Sequence, residues 1–554
     1  MRKSCIAAIS LFLLVYIVPL GVRPLFYQDE TRYAEIPREM LASGDWLVPR
    51  IDGLRYFAKP VLGYWLNALS MTLFGSNSFA LRFPSAMGVG ISALIIFLLA
   101  QRFAGGYVTG IVAAAALLTC PEVFVVGTTN ILDSVFSMLV TLAMGSFFFA
   151  YRENISWIRM CLLVSCGIFI GLACLTKGFI AFVIPVIAIA PFMIWEGEWK
   201  KLFSFSWVPF ITAILVSLPW FVMICLREHD FWNYFFWVEH VSRFISPTDN
   251  PHPRPFWFFF PLIAGGALPW SVLVPALLPR LSSLIREDLF IRFSLCWFLF
   301  PFLFFSASHC KLATYILPCY PPLVILITVS LMNYFETNQH KVFNTVALCF
   351  SALIGTTAAV LIVNQLTGWP GLSRYGPEET WKWTLTACSL MVWSLLLLLV
   401  TKMPDYRRKI ILFCVAPLVC MFSSHFILPD ELILMKAPGA FLLRHSEKVT
   451  PETILVADKR LVSSVCWFYK RNDVLLIDKG GEVEYGLGFE DAQDRQLTID
   501  SFRELYDKEA GMKRIVLIIS KKLYTKHELL FPQAAFKDVS ATMVFLQFQK
   551  QISS

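Results

Sequence analysis

The sequence has few charged residues for its length. Only 16% of its 554 residues are Asp, Glu, Lys or Arg, whereas soluble domains usually hold roughly 25%. Hydrophobic residues make up 57%, and the mean hydropathy is +0.64. A soluble chain could not bury that much apolar surface in its core. The net charge of +8 is modest, and the basic residues lie mostly in short loops between apolar runs. This distribution disfavours nucleic acid as a partner.

The sequence also lacks the cysteine spacing of metal sites and disulfide frameworks. Nearly all of its 14 cysteines lie in apolar runs, where cysteine behaves as a small hydrophobic residue. No CxxC or zinc-finger spacing occurs, and the polar tail contains only Cys466, so it has no internal disulfide. No internal repeat stands out, and ionisable residues cluster in loops, which disfavours a transporter or lipid flippase.

Long apolar runs are abundant instead. A membrane-spanning helix needs about 20 apolar residues. Thirteen runs near that length occur, at 5–22, 79–100, 107–126, 132–151, 160–176, 178–195, 204–226, 256–278, 289–307, 312–332, 343–363, 382–401 and 410–428. No small-residue cleavage site follows the first run, so we interpret it as an uncleaved span. The run 61–74 is too short to cross, and we interpret it as interfacial or re-entrant.

The tail after Leu428 differs in composition from the rest of the chain. The segments ETILVADKR, VLLID, RIVLIIS and MVFLQFQ predict short strands. We therefore predict a polytopic α-helical membrane domain over 1–429, with outer loops 23–78 and 227–256, and a small α/β soluble domain over 430–554. Arg2 and Lys3 favour a cytoplasmic N-terminus, so thirteen spans would place the tail outside the cytoplasm.

The first outer loop, DETRYAEIPREMLASGDWLVPRIDGLRYFAKP, is the most informative polar segment. Its apolar spacing predicts a helix at the membrane surface, with one face formed by Tyr33, Ile36, Met40 and Leu41. Asp29 begins this helix. A purely structural alternative is that Asp29 complements the helix dipole and pairs with Arg32. Lys59 follows at headgroup depth, where a lone lysine usually snorkels.

Other outer loops add carboxylates, cations and aromatic residues. Asp133 begins another apolar run, where by spacing alone it would cap a helix. The loop 227–256 has an aromatic cluster typical of interface anchoring, formed by Phe231, Trp232, Tyr234, Phe235, Phe236 and Trp237. His240 and Arg243 are i,i+3 neighbours in that loop, and Lys311 and Tyr315 are i,i+4 neighbours in another. Cations with a tyrosine hydroxyl suit the phosphate of a long-chain lipid.

Several long motifs together resemble one family. They are DETRYAEIPREMLASGDWLVPR, LRYFAKP, GYWLNALS, LTKGF (175–179), DFWNYFFWVEHVSRF (230–244), GALPW (266–270), KLATYILP (311–318) and VEYGLGFEDAQ (483–493). The sequence resembles the undecaprenyl phosphate 4-amino-4-deoxy-L-arabinose arabinosyl transferases, lipid-carrier-dependent glycosyltransferases with the C-type fold. The resemblance implies thirteen spans, a bacterial inner-membrane location, and a periplasmic active site and C-terminal domain.

The resemblance also implies an activity and a set of site residues. The donor sugar is carried on undecaprenyl phosphate, and the acceptors are lipid A phosphates. The transfer reduces the negative charge of lipid A and confers resistance to polymyxin and cationic antimicrobial peptides. Asp29 is expected to activate the acceptor, and Asp133 matches the second acid. The residues expected around the carrier phosphate are Arg32, Lys59, Arg243, Lys311, Tyr315 and His240.

Two alternatives concern the metal and the acceptor. Glu239, His240 and His252 could bind a metal, although their spacing is not diagnostic. The family usually has Glu before the lysine of LRYFAKP, where this chain has Ala58, which argues against a divalent metal near His240; we expect no cofactor. Residue chemistry alone leaves open a related transferase that acts on another sugar or on protein Ser/Thr.

Overall fold

The computed structural model describes residues 2–242, 253–337, 340–369 and 374–549. The chain divides into two compact units. The helical unit contains Met1–Leu20 and Arg82–Ile427, and the α/β unit contains Gly21–Leu81 and Leu428–Ser554. This division differs from the predicted domains, because the first outer loop belongs to the same unit as the tail.

The helical unit is built from apolar helices. The first is Arg2–Phe12, which continues as a π-helix (Leu13–Ile17) and a 3-10 helix (Val18–Gly21). The others are Ser78–Phe103 (all but its first turn), Tyr107–Leu118, Pro121–Gly127, Asp133–Arg152, Ser156–Lys177, Ile180–Trp195, Trp199–Arg227, the π-helical Asn233–Ser242, Phe259–Gly266, Val274–Glu287, Leu289–Ala307, Tyr320–Glu336, Lys341–Thr367, Thr380–Lys402, Tyr406–Val415 and Leu418–Ser424.

Among the described residues, eight helices are long and apolar enough to cross a membrane, and two bent pairs would bring the number to ten. The pairs are Tyr107–Leu118 with Pro121–Gly127, bent by 68°, and Phe256–Gly266 with Trp270–Glu287, bent by 100°. Ile6–Gly21 and Ile180–Trp195 are shorter apolar helices. The polytopic helical fold is thus confirmed, whereas the count of thirteen spans stays a prediction.

Small residues bring two of these helices close together. A Cβ atom added to Gly167 would lie 2.5 Å from the carbonyl oxygen of Pro209, and one added to Gly171 would lie 2.7 Å from that of Ala213. These two glycines form a GxxxG pattern on the helix Ser156–Lys177. Such a pattern allows apolar helices to pack backbone against backbone, here against Trp199–Arg227. The close approach fixes the end of Ser156–Lys177, where Lys177 lies.

The α/β unit contains a six-stranded sheet in the order β5-β4-β3-β6-β8-β7. Strands β3 to β6 are parallel, and β7 and β8 are antiparallel additions at one edge. The strands are β3 (Ile454–Asp458), β4 (Leu475–Ile477), β5 (Gln496–Leu497), β6 (Ile515–Ser520), β7 (Phe536–Val539) and β8 (Met543–Phe548). The four segments predicted as strands correspond to β3, β4, β6 and β8.

The topology of this sheet reverses between β3 and β6. The chain moves from β3 to β4 and β5 on one side, then returns to add β6 on the other side of β3. Because parallel crossovers are right-handed, this reversal places the connecting helices Val462–Tyr469 and Ile499–Glu509 on opposite faces of the sheet. Strand β6 is buried along almost its whole length, as expected for a parallel strand in a sheet that is covered on both faces.

The first outer loop supplies the rest of the α/β unit. Its elements are the helices Asp29–Ser43 and Leu62–Phe74 and the hairpin strands β1 (Arg50–Ile51) and β2 (Leu54–Arg55). The tail adds the helices Asp430–Lys436, Gly439–Arg444, Val462–Tyr469, Glu484–Leu487, Ile499–Glu509 and Lys521–His527. Leu25, Ala34 and Met71 of the loop form one apolar cluster with Trp467 of the tail.

The helix Asp29–Ser43 packs against both Leu62–Phe74 and Val462–Tyr469. Three residues of the predicted apolar face, Tyr33, Ile36 and Met40, are buried. The fourth, Leu41, is 37% exposed. The buried surface instead extends to Glu30, Thr31 and Glu35, because the helix contacts a second element of the same unit.

The hairpin turn Asp52-Gly53 connects the loop to the tail. Both residues have positive φ, 57° and 72°, as a two-residue type I′ turn requires. The buried Asp52 carboxylate accepts the backbone N–H of Val474 at 2.9 Å and forms an ion pair with Arg495 at 2.9 Å. A Cβ on Gly53 would lie 2.9 Å from the carbonyl oxygen of Asn472, so glycine also allows this close contact.

Candidate active site

Asp29 and Arg32 form an ion pair at the start of the helix Asp29–Ser43, with 2.5 Å between Asp29 Oδ1 and Arg32 Nη2. Arg32 Nη1 lies 2.9 Å from Glu482 Oε1. The guanidinium is 13% exposed, whereas the Asp29 and Glu482 side chains are 67% and 57% exposed. One largely buried cation therefore holds two accessible carboxylates, and the net charge of the trio is negative.

Sequence reasoning predicted Asp29 and Arg32 but missed Glu482. Asp29 is not the N-cap of its helix, because the N-cap residue is Gln28 and Asp29 is the first helical residue. Glu482 comes from the short turn before VEYGLGFEDAQ, and the Tyr56 hydroxyl donates to it at 3.4 Å. Only the resemblance of both segments to the same family could have suggested that they meet.

Lys59 lies in the same unit as Asp29, between the hairpin and the helix Leu62–Phe74. Its side chain is half-buried, and Nζ donates to the carbonyl oxygen of Ala58 at 2.9 Å. Phe57 and Pro60 on either side are buried. Phe57 packs against Tyr485 of the tail, with ring centroids 5.6 Å apart. The backbone that carries Lys59 is thereby fixed on both sides of the lysine.

Asp133, Lys177 and Tyr315 come together in the helical unit. Lys177 Nζ lies 2.5 Å from Asp133 Oδ1, and the two side chains are only 12% and 13% exposed. The same ammonium lies 5.2 Å from the ring centroid of Tyr315 and 5.4 Å from that of Phe136. The largely buried Asp133 therefore has its counter-ion from LTKGF, whose lysine was not singled out in the sequence.

Lys311 is buried and bound to main-chain oxygens. Its exposure is 3%, and Nζ donates to the carbonyl oxygens of Ser308 and Arg254, the latter at 3.1 Å. This ammonium ties the segment around Arg254 to the turn before Tyr315. Two of its three N–H groups are engaged in the fold, which makes Lys311 a residue that shapes the site as well as a candidate cation.

The structure does not describe two of the predicted site residues in full. Arg243 lies outside the described residues, and so does the side chain of His240, although its backbone belongs to Asn233–Ser242. His252, a further metal candidate, also lies outside them. Among the described residues, no group of three or more His, Cys, Asp or Glu side chains is placed to hold a metal ion.

The aromatic cluster before His240 divides between core and surface. Phe231 and Phe235 are buried, and their rings stack with centroids 5.2 Å apart. Trp232 and Trp237 are 46% and 55% exposed. The prediction of interface anchoring was wrong for Phe231 and Phe235, because they form the core that fixes Asn233–Ser242 on Trp220 and Phe221.

The predicted site residues therefore form two described groups. Asp29 and Arg32 are in direct contact in the α/β unit, which also contains Lys59. Asp133 and Tyr315 share the ammonium of Lys177 in the helical unit, which also contains Lys311. Each group combines a carboxylate with at least one cation, as a site that binds a phosphate ester and handles an anionic acceptor requires.

Comparison with protein families gives two matches. Residues 2–235 match the family described as dolichyl-phosphate-mannose-protein mannosyltransferase. Residues 433–547 match the family described as the C-terminal domain of arabinosyl transferase ArnT. The second match covers the six-stranded sheet up to the next-to-last residue of β8.

Curated relatives match nearly the full length of the chain. A protein from Shewanella sediminis is 35% identical over 537 residues, which cover 96% of each chain. One from Erwinia tasmaniensis is 38% identical over 506 residues, which cover 89% of this chain and 88% of the relative. Both are named undecaprenyl phosphate-alpha-4-amino-4-deoxy-L-arabinose arabinosyl transferase.

A solved structure has the same fold. The crystal structure of ArnT from Cupriavidus metallidurans bound to undecaprenyl phosphate matches with a TM-score of 0.82 and 22% identity, covering 98% of both chains. The structure of the same protein in its apo state also gives a TM-score of 0.82. The predicted C-type glycosyltransferase architecture with a C-terminal α/β domain is confirmed.

Proposed function

Because the chain belongs to the family of undecaprenyl phosphate-alpha-4-amino-4-deoxy-L-arabinose arabinosyl transferases, we propose that it transfers 4-amino-4-deoxy-L-arabinose from undecaprenyl phosphate to phosphate groups of lipid A. The observation that carries this proposal is the 35% identity over 96% of the chain. The match over 433–547 favours it over a transferase that acts on protein Ser/Thr.

The reaction exchanges one phosphate for another at the sugar. The bond between the anomeric carbon and the carrier phosphate oxygen breaks, and undecaprenyl phosphate leaves with the electron pair. A lipid A phosphate oxygen forms the new bond from the opposite face, with inversion. Negative charge grows on the leaving phosphate, so fixed cations lower the barrier. Lys59 and Arg243 are the cations that we assign to this charge.

The carboxylates act on the acceptor side of the reaction. The acceptor phosphate has a second pKa of about 6, so it is already largely an anion near neutral pH. Asp29 therefore orients the acceptor or accepts a residual proton, and Arg32 positions Asp29. Asp133 is the second acid, and Lys177 holds it in place. Lys311, Tyr315 and His240 are assigned to the carrier phosphate and its surroundings.

The proposed site of action is the periplasmic face of the bacterial inner membrane. The added sugar carries an amine, so it reduces the negative charge of lipid A and thereby weakens the binding of polymyxin and other cationic peptides. A phosphatase fused after Ser554 should be active and a cytoplasmic reporter silent. The opposite pattern would contradict the periplasmic orientation of the tail.

Reconstituted transfer tests the proposal directly. The purified full chain would be incubated with aminoarabinose-charged undecaprenyl phosphate and one of three acceptors. These are lipid A, lipid A stripped of its phosphates, and a Ser/Thr-containing peptide. Product is expected with intact lipid A only. Transfer to the peptide would support the alternative function, and equal transfer to stripped lipid A would contradict a phosphate acceptor.

A further inference from the structure

A cavity of about 310 Å³ opens beside the six-stranded sheet, lined entirely by residues of the α/β unit. Three segments of the tail form most of its wall, and Tyr27 of the first outer loop completes it. Arg460 follows β3, the stretch Ser520–Lys522 begins with the last residue of β6, and Thr542 lies in the turn between β7 and β8. The cavity therefore lies mostly in the tail, on residues to which the transfer reaction assigns no role.

The position of the cavity has a topological cause. Its walls follow the carboxyl ends of β3 and β6, the two parallel strands between which the strand order reverses. In open, doubly wound sheets, the connections leave in opposite directions at this point, and a crevice opens outside the strand ends. This is where such sheets bind their ligands.

The walls of the cavity are cationic. Arg460, Lys521 and Lys522 all line it with exposed side chains, and none of the residues that line it is acidic. Within the described part of the chain, no carboxylate pairs with any of these three cations. Ser520, Thr525 and Thr542 line the same space, although the hydroxyls of Thr525 and Thr542 donate to the carbonyl oxygens of Lys521 and Met435. Three cations around one cavity select an anionic ligand with several oxygen acceptors.

Asp458 fixes the two loops that carry these cations. Its buried carboxylate accepts the backbone N–H groups of Arg460 and Leu461, each at 3.1 Å, and that of Ser520 at 2.9 Å. The backbone N–H of Lys521 donates to the carbonyl oxygen of Thr542 at 2.8 Å, which fixes the third wall. The carboxylate is thus occupied by main-chain donors, and the walls are held in place before any ligand arrives.

We propose that this cavity binds a phosphate-bearing ligand, either a phosphomonoester or a diphosphate. The planar guanidinium of Arg460 suits bidentate contact with phosphate, and the two lysines supply point charges. The volume lies at the lower end of the range for ligand sites, roughly 300–1,000 Å³. It fits a sugar phosphate or a phosphorylated lipid headgroup. The site does not depend on the proposed transfer reaction.

Direct binding to the purified full chain tests the site. The soluble probes are inorganic pyrophosphate and glucose 1-phosphate, and the lipid probe is dioctanoyl phosphatidic acid, with dioctanoyl phosphatidylcholine as its blank. The test variants are Arg460→Ala and the double variant Lys521→Ala/Lys522→Ala. The control is Lys508→Ala/Lys513→Ala, which removes the same charge from exposed lysines of the same unit that do not line the cavity.

The expected result is a loss of affinity of at least about tenfold in both test variants and no loss in the control. A loss for the soluble probes identifies a soluble phosphorylated molecule, and a loss for phosphatidic acid alone identifies a lipid headgroup. Unchanged affinities, the same loss in the control, or no saturable binding of any probe would overturn the proposal. Binding is read without transfer, so failure of the proposed transferase function would not imitate these outcomes.

Discussion

At the scale of single residues, the contacts and the exposure of each charged side chain distinguish its role from those of the neighbouring charged residues. Arg32 is 13% exposed and already contacts two carboxylates, which supports the proposal that it holds Asp29 in place. Asp29 is 67% exposed and has only part of its charge engaged. This difference supports the reactive role that we propose for Asp29.

Asp29→Asn keeps the size of the side chain and removes its charge. Transfer should fall by at least about a hundredfold, because a positioned acid or base contributes roughly 10²- to 10⁴-fold. Carrier binding should be unchanged. Both are measured on the purified protein. Asp494→Asn, an exposed acid of the same unit, is the control and should behave like the unchanged chain. Transfer within a few-fold of that control would contradict the role of Asp29.

Lys59→Ala tests the proposed contact with the carrier phosphate. A charge-assisted hydrogen bond contributes on the order of 1.5–3 kcal/mol, and this contact should tighten as the phosphate gains charge. Carrier affinity and kcat should together fall by roughly ten- to a hundredfold. Lys59→Arg should recover only part, because a planar fork does not replace a compact ammonium.

The alternative for Lys59 is a purely structural lysine. In that case Lys59→Ala would change expression or membrane insertion and leave turnover and carrier affinity of the folded protein as they were. Normalising both constants to the amount of folded enzyme separates the two roles.

At the scale of structural elements, the hairpin at Asp52-Gly53 is the feature that joins the first outer loop to the tail. Arg495 donates to the carbonyl oxygen of Asp52 at 2.9 Å and pairs with its carboxylate. Arg55, in the strand after the turn, pairs with Asp491 at 2.8 Å. The tail motif VEYGLGFEDAQ thus contacts the loop motif LRYFAKP, which gives the C-terminal segment a role in fixing the backbone beside Lys59.

Gly53→Ala should weaken this hairpin. A positive φ costs a non-glycine residue about 1–2 kcal/mol, and the new Cβ would lie 2.9 Å from the Asn472 carbonyl oxygen. Gly44→Ala is a matched control, because Gly44 has the same φ of 72° but no atom within 4 Å of an added Cβ. Hydrogen exchange at 472–477 should accelerate more in Gly53→Ala than in Gly44→Ala. Equal acceleration would mean that the close contact does not matter.

The same hairpin should make the stability of the α/β unit depend on pH. Burial raises the pKa of Asp52 to about 7. Between its ordinary value near 4 and that value, the unfolded chain releases the proton and the folded chain keeps it. The stabilising contribution is therefore complete below about pH 4 and is lost as the pH rises through about 7. Burial also raises the pKa values of Glu35 and Glu39, which act in the same direction.

Asp52→Asn should flatten this dependence. Between about pH 5 and 8, the decline in protection of 472–477 from hydrogen exchange should become shallower than in the unchanged chain. Asp473→Asn is the control, because the hydrogen bond from Arg471 lowers the pKa of Asp473 and places its titration below this window. An unaltered slope in Asp52→Asn would contradict the assignment.

At the scale of the whole molecule, sequence patterns predicted the long elements and missed the short ones. Every long apolar run corresponds to a helix or helix pair, and the strands β3, β4, β6 and β8 are apolar enough to recognise. Strands β1, β2 and β5 have two residues each, too few for a periodic pattern. The four-residue edge strand β7 was missed as well, because two of its residues, Lys537 and Asp538, are charged. The Asp-Gly turn could have indicated the hairpin.

The candidate site was predictable only in part for a similar reason. Asp29 and Arg32 are neighbours on one helix, so their spacing showed that they meet. Lys177 and Asp133 are 44 residues apart, and Arg32 and Glu482 are farther still. No local pattern reports contacts between distant helices or between a loop and a tail. Such partners follow from the packing of helices and from the doubly wound sheet.

The central claim is tested most directly by mass spectrometry of lipid A from cells that lack any other aminoarabinose transferase but make its charged carrier. Cells that express this chain should contain lipid A heavier by one or two aminoarabinosyl residues, and cells that express Asp29→Asn at the same level should contain only unmodified lipid A. Unmodified lipid A in the presence of the well-expressed, folded chain would contradict the proposed function.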